Sequence, residues 1–97
     1  MTARIEAALS KLRSAGNSLR CSELIKTLED LGFEVRDGRK AGHKIVTHPG
    51  LEGFYSASFS CGHGKDPQVK RPYIQQIRKV IETHKDELEQ FIQEGLS

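Results

Sequence analysis

The chain has 97 residues, 36% hydrophobic and 29% charged, with 15 Lys plus Arg against 13 Asp plus Glu for a net charge of +2. That composition points to one small cytosolic domain: no apolar run reaches the length of about eighteen residues that a membrane span needs, and the N-terminus lacks the apolar core of a secretory signal. A domain of this size buries only about 60% of its unfolded surface, which excludes a large catalytic cleft.

Near the N-terminus Ile5, Ala8, Leu9 and Leu12 fall at i, i+3, i+4 and i+7, which predicts a short amphipathic helix with Thr2 as N-cap and Gly16-Asn17 as its stop. A second helix begins at Ser22 or just before it. It carries Leu24, Ile25, Leu28 and Leu31 on one face, and Gly32 stands where a left-handed C-cap residue belongs. After Gly32 the hydrophobic period shortens from about 3.6 to 2. Phe33 to Arg36 then reads as a strand, His43 to His48 as a second ending at Pro49-Gly50, and Tyr55 to Ser60 as a third. The three are expected to pair as an antiparallel meander.

Cys61 to Lys70 reads as a glycine- and charge-rich loop, followed by a final helix with Pro72 in its first turn. Ile74, Ile77, Ile81, His84, Leu88, Phe91 and Ile92 step by threes and fours before Gly95 ends the pattern, as one rod or with a break near Thr83-His84. The expected order is ααβββα, an α+β fold whose second and final helices cover one face of a three-stranded sheet. Cys21 and Cys61 are too few for a disulfide scaffold and form no CxxC, so they read as thiols.

Charge is unevenly spread. Residues 1–35 balance, residues 36–81 carry +6, and the stretch after Ile81 carries −4. A basic middle suits a phosphate backbone, although a solvated lysine-rich surface gives the same arithmetic. Within that middle His43 follows Gly42 at the start of a strand, beside Arg39, Lys40 and Lys44. An imidazole is the side chain that most readily gives or takes a proton near neutrality. Cleavage of RNA through its own 2′-hydroxyl needs one such base and one such acid, and cations to stabilise the phosphorane, without a metal.

The bland reading of His43 is a residue that packs at a strand end. His63, in Gly62-His63-Gly64-Lys65, sits where two glycines let the backbone approach an anion. A metal site drawn from His43, His48, Cys61 and His63 has neither CxxC nor HxxxH spacing, and none is expected. His84 falls on the apolar stripe as a packing residue.

The run Glu23-Leu24-Ile25-Lys26-Thr27-Leu28-Glu29-Asp30-Leu31-Gly32-Phe33, followed by Gly42-His43-Lys44-Ile45-Val46-Thr47-His48-Pro49-Gly50 and then by Gly62-His63-Gly64-Lys65, resembles the HicA family of toxins. These are small messenger-RNA interferases of toxin-antitoxin pairs. The resemblance spans Ser22 to about Ile81, with Gly42 where the family often has serine and Lys44 where it often has a second histidine.

It implies a double-stranded-RNA-binding-like αβββα fold, metal-independent endoribonuclease activity needing no cofactor, and a HicB-type antitoxin as partner. It also implies His43 as the catalytic histidine. Arg39, Lys40, Gly42, Lys44, His63, Lys65, Lys70 and Arg71 are the expected RNA-binding residues. Residues 1–17 then read as an N-terminal helical extension, 18–84 as the cleaving domain and 85–97 as an acidic helical extension.

Two other functions compete. One is a non-catalytic RNA-binding module on the same fold. The other is a protein-interaction domain, or a homodimer, formed through the stripe from Ile74 to Ile92. The acidic side chains Glu82, Asp86, Glu87, Glu89 and Glu94 are a third element, able in principle to compete with RNA for the basic middle.

Overall fold

The computed structural model describes residues 3–15, 19–62 and 64–96. Helices α1 (Ala3–Ala15) and α2 (Cys21–Asp30) precede strands β1 (Glu34–Asp37), β2 (His43–Thr47) and β3 (Ala57–Ser60), and helices α3 (Arg71–Thr83) and α4 (Lys85–Phe91) follow, with a π-helical turn over Ile92–Leu96. The order is the expected one. Thr2, Gly16-Asn17 and His63 lie outside the described residues.

The chain leaves α2 through the expected glycine. Gly32 has φ +91°, and the N–H groups of Gly32 and Phe33 donate to the carbonyls of Glu29 (2.9 Å) and Leu28 (3.1 Å). This paired closure satisfies two free carbonyls at the helix end and turns the chain toward the sheet.

The three strands form an antiparallel sheet in the order β1-β2-β3. Two cross-strand rows, Val35-Val46-Ala57 and Asp37-Lys44-Phe59, face the helices, and Val46 and Phe59 are fully buried there. The alternate rows, Arg36-Ile45-Ser58 and His43-Ser60, face the other way. Helix α2 packs beside β1 and α3 beside β3, which covers one face and leaves the other open.

The core is a single cluster. Ile5, Leu9 and Leu12 of α1 join Leu24 and Leu28 of α2, Phe59 of β3, and Ile74, Ile77, Ile81 and Leu88 of the C-terminal helices. Helix α1 lies against α3 and α4, tied by Arg13 to Glu82 (3.1 Å) and by Lys85 to Glu6 (2.6 Å). Ile74, Ile77, Ile81, Leu88 and Ile92 of the stripe are thus buried in this chain's own core.

Three expectations need correction. The third strand begins at Ala57, since its last partner is Val46; Tyr55 lies outside the ladder and is 94% exposed. Of the two forms expected for the helix after Pro72 the chain takes the broken one, at His84, whose φ −105° and ψ 21° leave the helical region, yet His84 N–H still donates to Val80 and Leu88 N–H to His84. Gly95 does not end the helix, because the π turn runs through it.

Cys21 and Cys61, read as thiols, are joined in a disulfide with Cα atoms 5.4 Å apart. Forty positions separate them in sequence, so the constraint on the unfolded chain contributes up to about 4 kcal/mol in the loop-entropy picture. Sequence spacing gave no sign of the pairing, since only the fold brings the start of α2 to the end of β3.

A buried histidine closes the other end of the sheet. His48 is 6% exposed, edge-on to Phe33 and Phe91 with ring centroids 4.6 Å away in each case. Gly50 N–H donates to its Nδ1 at 3.0 Å, so Nε2 carries the proton and donates to the Leu31 carbonyl, also at 3.0 Å. Phe91 in turn lies over Gly32 and Gly50, where any side chain would collide with its ring.

Candidate active site on the open sheet face

His43 opens β2, and the alternation of a strand puts its side chain with Ile45 and Thr47 on the uncovered face. Its position is set by a tight turn. Gly38 N–H donates to the His43 carbonyl (2.7 Å) and His43 N–H to the Lys40 carbonyl (3.1 Å), which closes residues 38 to 43 into a compact knuckle. Gly42 takes φ +82°, and a side chain there would strike the Gly62 carbonyl; Cys61 N–H donates to the Gly42 carbonyl at 2.7 Å. The turn and the loop after β3 therefore meet backbone to backbone.

The result is a groove of about 600 Å³ lined by Arg39, Lys40, Ala41, His43, Ile45 and Ser60. His43 is half-buried, its ring packed over Gly38, while Arg39 and Lys40 are exposed at the rim. Ser60 lies directly across the ladder from His43 and brings a hydroxyl to the same wall. An imidazole, two cations and a hydroxyl on one solvent-open wall can bind a phosphodiester and move a proton at it.

The expected RNA-binding residues do not all converge on this groove. Lys44 neighbours His43 in sequence but projects from the helix-covered face, where its ammonium pairs with the Asp37 carboxylate. This is a correction to the expectation that Lys44 and His43 share one phosphate site. Adjacent strand residues point to opposite faces, and the sequence run of basic residues hid that.

Gly42 acts through its backbone fit against Gly62. Lys65 is exposed in the loop after Gly64, and Lys70 and Arg71 line a separate depression of about 360 Å³ with Gln68, Val69 and Pro72 at the start of α3.

Sequence reasoning missed three contributors. Ser60 was legible in the alternation of serines with Ala57 and Phe59, which marks the outer face of β3. Gly38 had no signal apart from its turn. Asp66 had none: its carboxylate accepts from Ser22 N–H (2.9 Å) and from the Ser22 hydroxyl (2.8 Å), which caps α2 from 44 residues away.

Those Ser22 hydrogen bonds hold the Asp66 carboxyl below the usual carboxylate range. The same loop is tied down by Cys21 N–H to the Pro67 carbonyl (2.9 Å), Val69 N–H to the Leu19 carbonyl (2.8 Å), and the Arg20 guanidinium to the Asp66 carbonyl (3.1 Å).

The acidic C-terminal residues engage elsewhere. Glu82 pairs with Arg13, and Glu87 accepts from or pairs with His84 Nδ1 at 3.1 Å; neither lines the His43 groove. Of the residues considered for a metal, His48 has both ring nitrogens engaged inside the core and Cys61 is in the disulfide. Among the described residues no group of three His, Cys, Asp or Glu side chains is placed to hold a metal ion. No described helix is long and apolar enough to cross a membrane.

No protein-family profile, no curated protein and no solved structure matches the chain.

Proposed function

We propose that the protein is a cytoplasmic endoribonuclease of the HicA type, a messenger-RNA interferase that cuts by histidine acid-base catalysis and is neutralised by a HicB-type antitoxin. One observation carries the reading: the groove on the open face gathers His43, Arg39 and Lys40 around one solvent-open space. The HicA-like spacing of the sequence and an αβββα core compatible with a double-stranded-RNA-binding-like arrangement support it.

In this reading a ribose 2′-oxygen attacks the adjacent phosphorus and the bond to the 5′-oxygen breaks, leaving a 2′,3′-cyclic phosphate and a 5′-hydroxyl. His43 removes the 2′ proton or protonates the leaving oxygen, and solvent water makes the other transfer. Arg39 and Lys40 stabilise the charge that builds on the phosphorane oxygens. The 2′-hydroxyl is the nucleophile, so DNA is not a substrate.

The experiment is cleavage of single-stranded RNA by purified protein in EDTA. Wild-type protein is expected to cut, and His43→Ala to lose activity by about 100-fold or more with an unchanged circular-dichroism spectrum. Salt-dependent RNA binding without cleavage would replace this reading by a non-catalytic RNA-binding module. Equal cleavage by wild type and His43→Ala would remove His43 from the chemistry.

A further inference from the structure

The disulfide lies in the core, with Cys21 8% and Cys61 4% exposed, and reaches the groove through the backbone of Cys61. Cys21 is the first residue of α2 and Cys61 the first residue after β3. The backbone N–H of Cys61 donates to the carbonyl of Gly42, the residue before His43, and Ser60, the residue before Cys61, pairs with His43. One covalent bond therefore braces the strand ends that carry His43 against the start of α2.

Past Cys61 the next noncovalent anchors among the described residues are at Asp66 and Pro67. In between, the exposed Gly62 and Gly64 adopt positive φ, +77° and +103°; Gly62 touches Gly42 through backbone alone and Gly64 has open space where a side chain would stand. A disulfide in a cytosolic protein is more often a transient, redox-sensing bond than a permanent staple.

We infer that Cys21–Cys61 is a redox switch for the His43 groove, addressed by a dithiol reductant: oxidised, the bond holds the Gly42–Cys61 junction in register; reduced, it releases that junction. Local opening at the Gly42–Cys61 junction first uncovers the buried bond; a reductant thiolate then attacks Cys61 Sγ, the S–S bond breaks and its electron pair leaves on Cys21 Sγ. The first turn of α2 favours that thiolate as leaving group. The reductant's second thiolate then attacks its own sulfur in the mixed disulfide and expels the Cys61 thiolate. The reductant departs as a disulfide, two electrons have passed to the protein, and the two protons lost by the reductant are taken up by the two cysteines.

The effect on RNA cleavage rests on the ribonuclease reading; the local release does not. The test compares amide hydrogen exchange, by NMR on the full-length chain, between oxidised and dithiothreitol-reduced protein, with RNA cleavage in EDTA measured on the same samples. Reduction is expected to speed exchange of the Cys61 amide by about tenfold or more while the Val46 and Phe59 amides stay protected. Cleavage is expected to fall by about tenfold and to return on reoxidation.

The double variant Cys21→Ser, Cys61→Ser should match the reduced protein and ignore dithiothreitol. An unchanged Cys61 amide overturns the switch. Joint loss of protection at Val46 and Phe59 also overturns it, since the bond would then be a staple of the whole fold. A local Cys61 response in a protein that cuts no RNA in either state supports the redox element and removes the ribonuclease reading.

Discussion

Gly38 and His43 fix one another. The Gly38 N–H donates to the His43 carbonyl at 2.7 Å, and the His43 ring fills the space that a side chain on Gly38 would take. An alanine at position 38 fits the backbone and displaces the imidazole. Gly38→Ala is therefore expected to lower RNA cleavage by about 100-fold, as a misplacement of roughly 1 Å does at other sites, with a melting temperature within a few degrees of wild type. Full activity in this variant would show that the ring works from a position other than the one over Gly38.

Lys44 and the pair Arg39 and Lys40 should separate in their effects. Lys44 is engaged by Asp37 on the covered face, in a partly exposed ion pair worth at most about 1 kcal/mol. Lys44→Ala is expected to change RNA affinity by less than about threefold. Arg39→Ala with Lys40→Ala should weaken binding and flatten its salt dependence, by about 0.7 in slope for each phosphate of the single strand that is no longer neutralised. Titrations of labelled RNA at several salt concentrations decide it, and a weakening at Lys44 equal to that at Arg39 and Lys40 would contradict the two-face arrangement.

His48 makes stability depend on pH. Burial pushes its imidazole below the ordinary histidine value, against the opposing pull of the Leu31 carbonyl. The folded state thus binds fewer protons at this site than the unfolded state. Its contribution is complete above the ordinary histidine value and is lost as pH falls toward the lowered, folded one.

The denaturant midpoint should drop between about pH 7.5 and 5, and His48→Ala should remove that component. At pH 7.5 the same variant is expected to cost about 2–4 kcal/mol, from the missing packing against Phe33 and Phe91 and an orphaned Leu31 carbonyl. A variant with the wild-type pH profile would place the titration elsewhere.

Helix α1 belongs to the core by packing. Leu9 is 2% exposed and sits in the cluster that also holds Ile77 and Ile81. Leu9→Ala is expected to cost about 2–5 kcal/mol in urea unfolding, and removal of residues 1–17 to abolish cooperative unfolding. A truncated chain that unfolds cooperatively at the wild-type midpoint would make α1 a separable appendage.

Period and punctuation along the chain specified the order of elements, the glycine that ends α2, the antiparallel meander and the apolar face of each helix. They are local properties: which face of a helix or strand is apolar depends on residues within a few positions of each other. They also singled out His43, because its basic neighbours are sequence neighbours.

The same locality misled where partners are distant. Alternation continued through Tyr55 although no strand residue stands opposite it, and the basic run merged Lys44 with His43 although strand geometry sends them to opposite faces. The Asp66 cap on α2, the disulfide between Cys21 and Cys61 and the ring of His43 over Gly38 were decided only by the tertiary structure. Each depends on how the sheet register and the helix packing bring separate parts of the chain into contact, which no short-range pattern encodes.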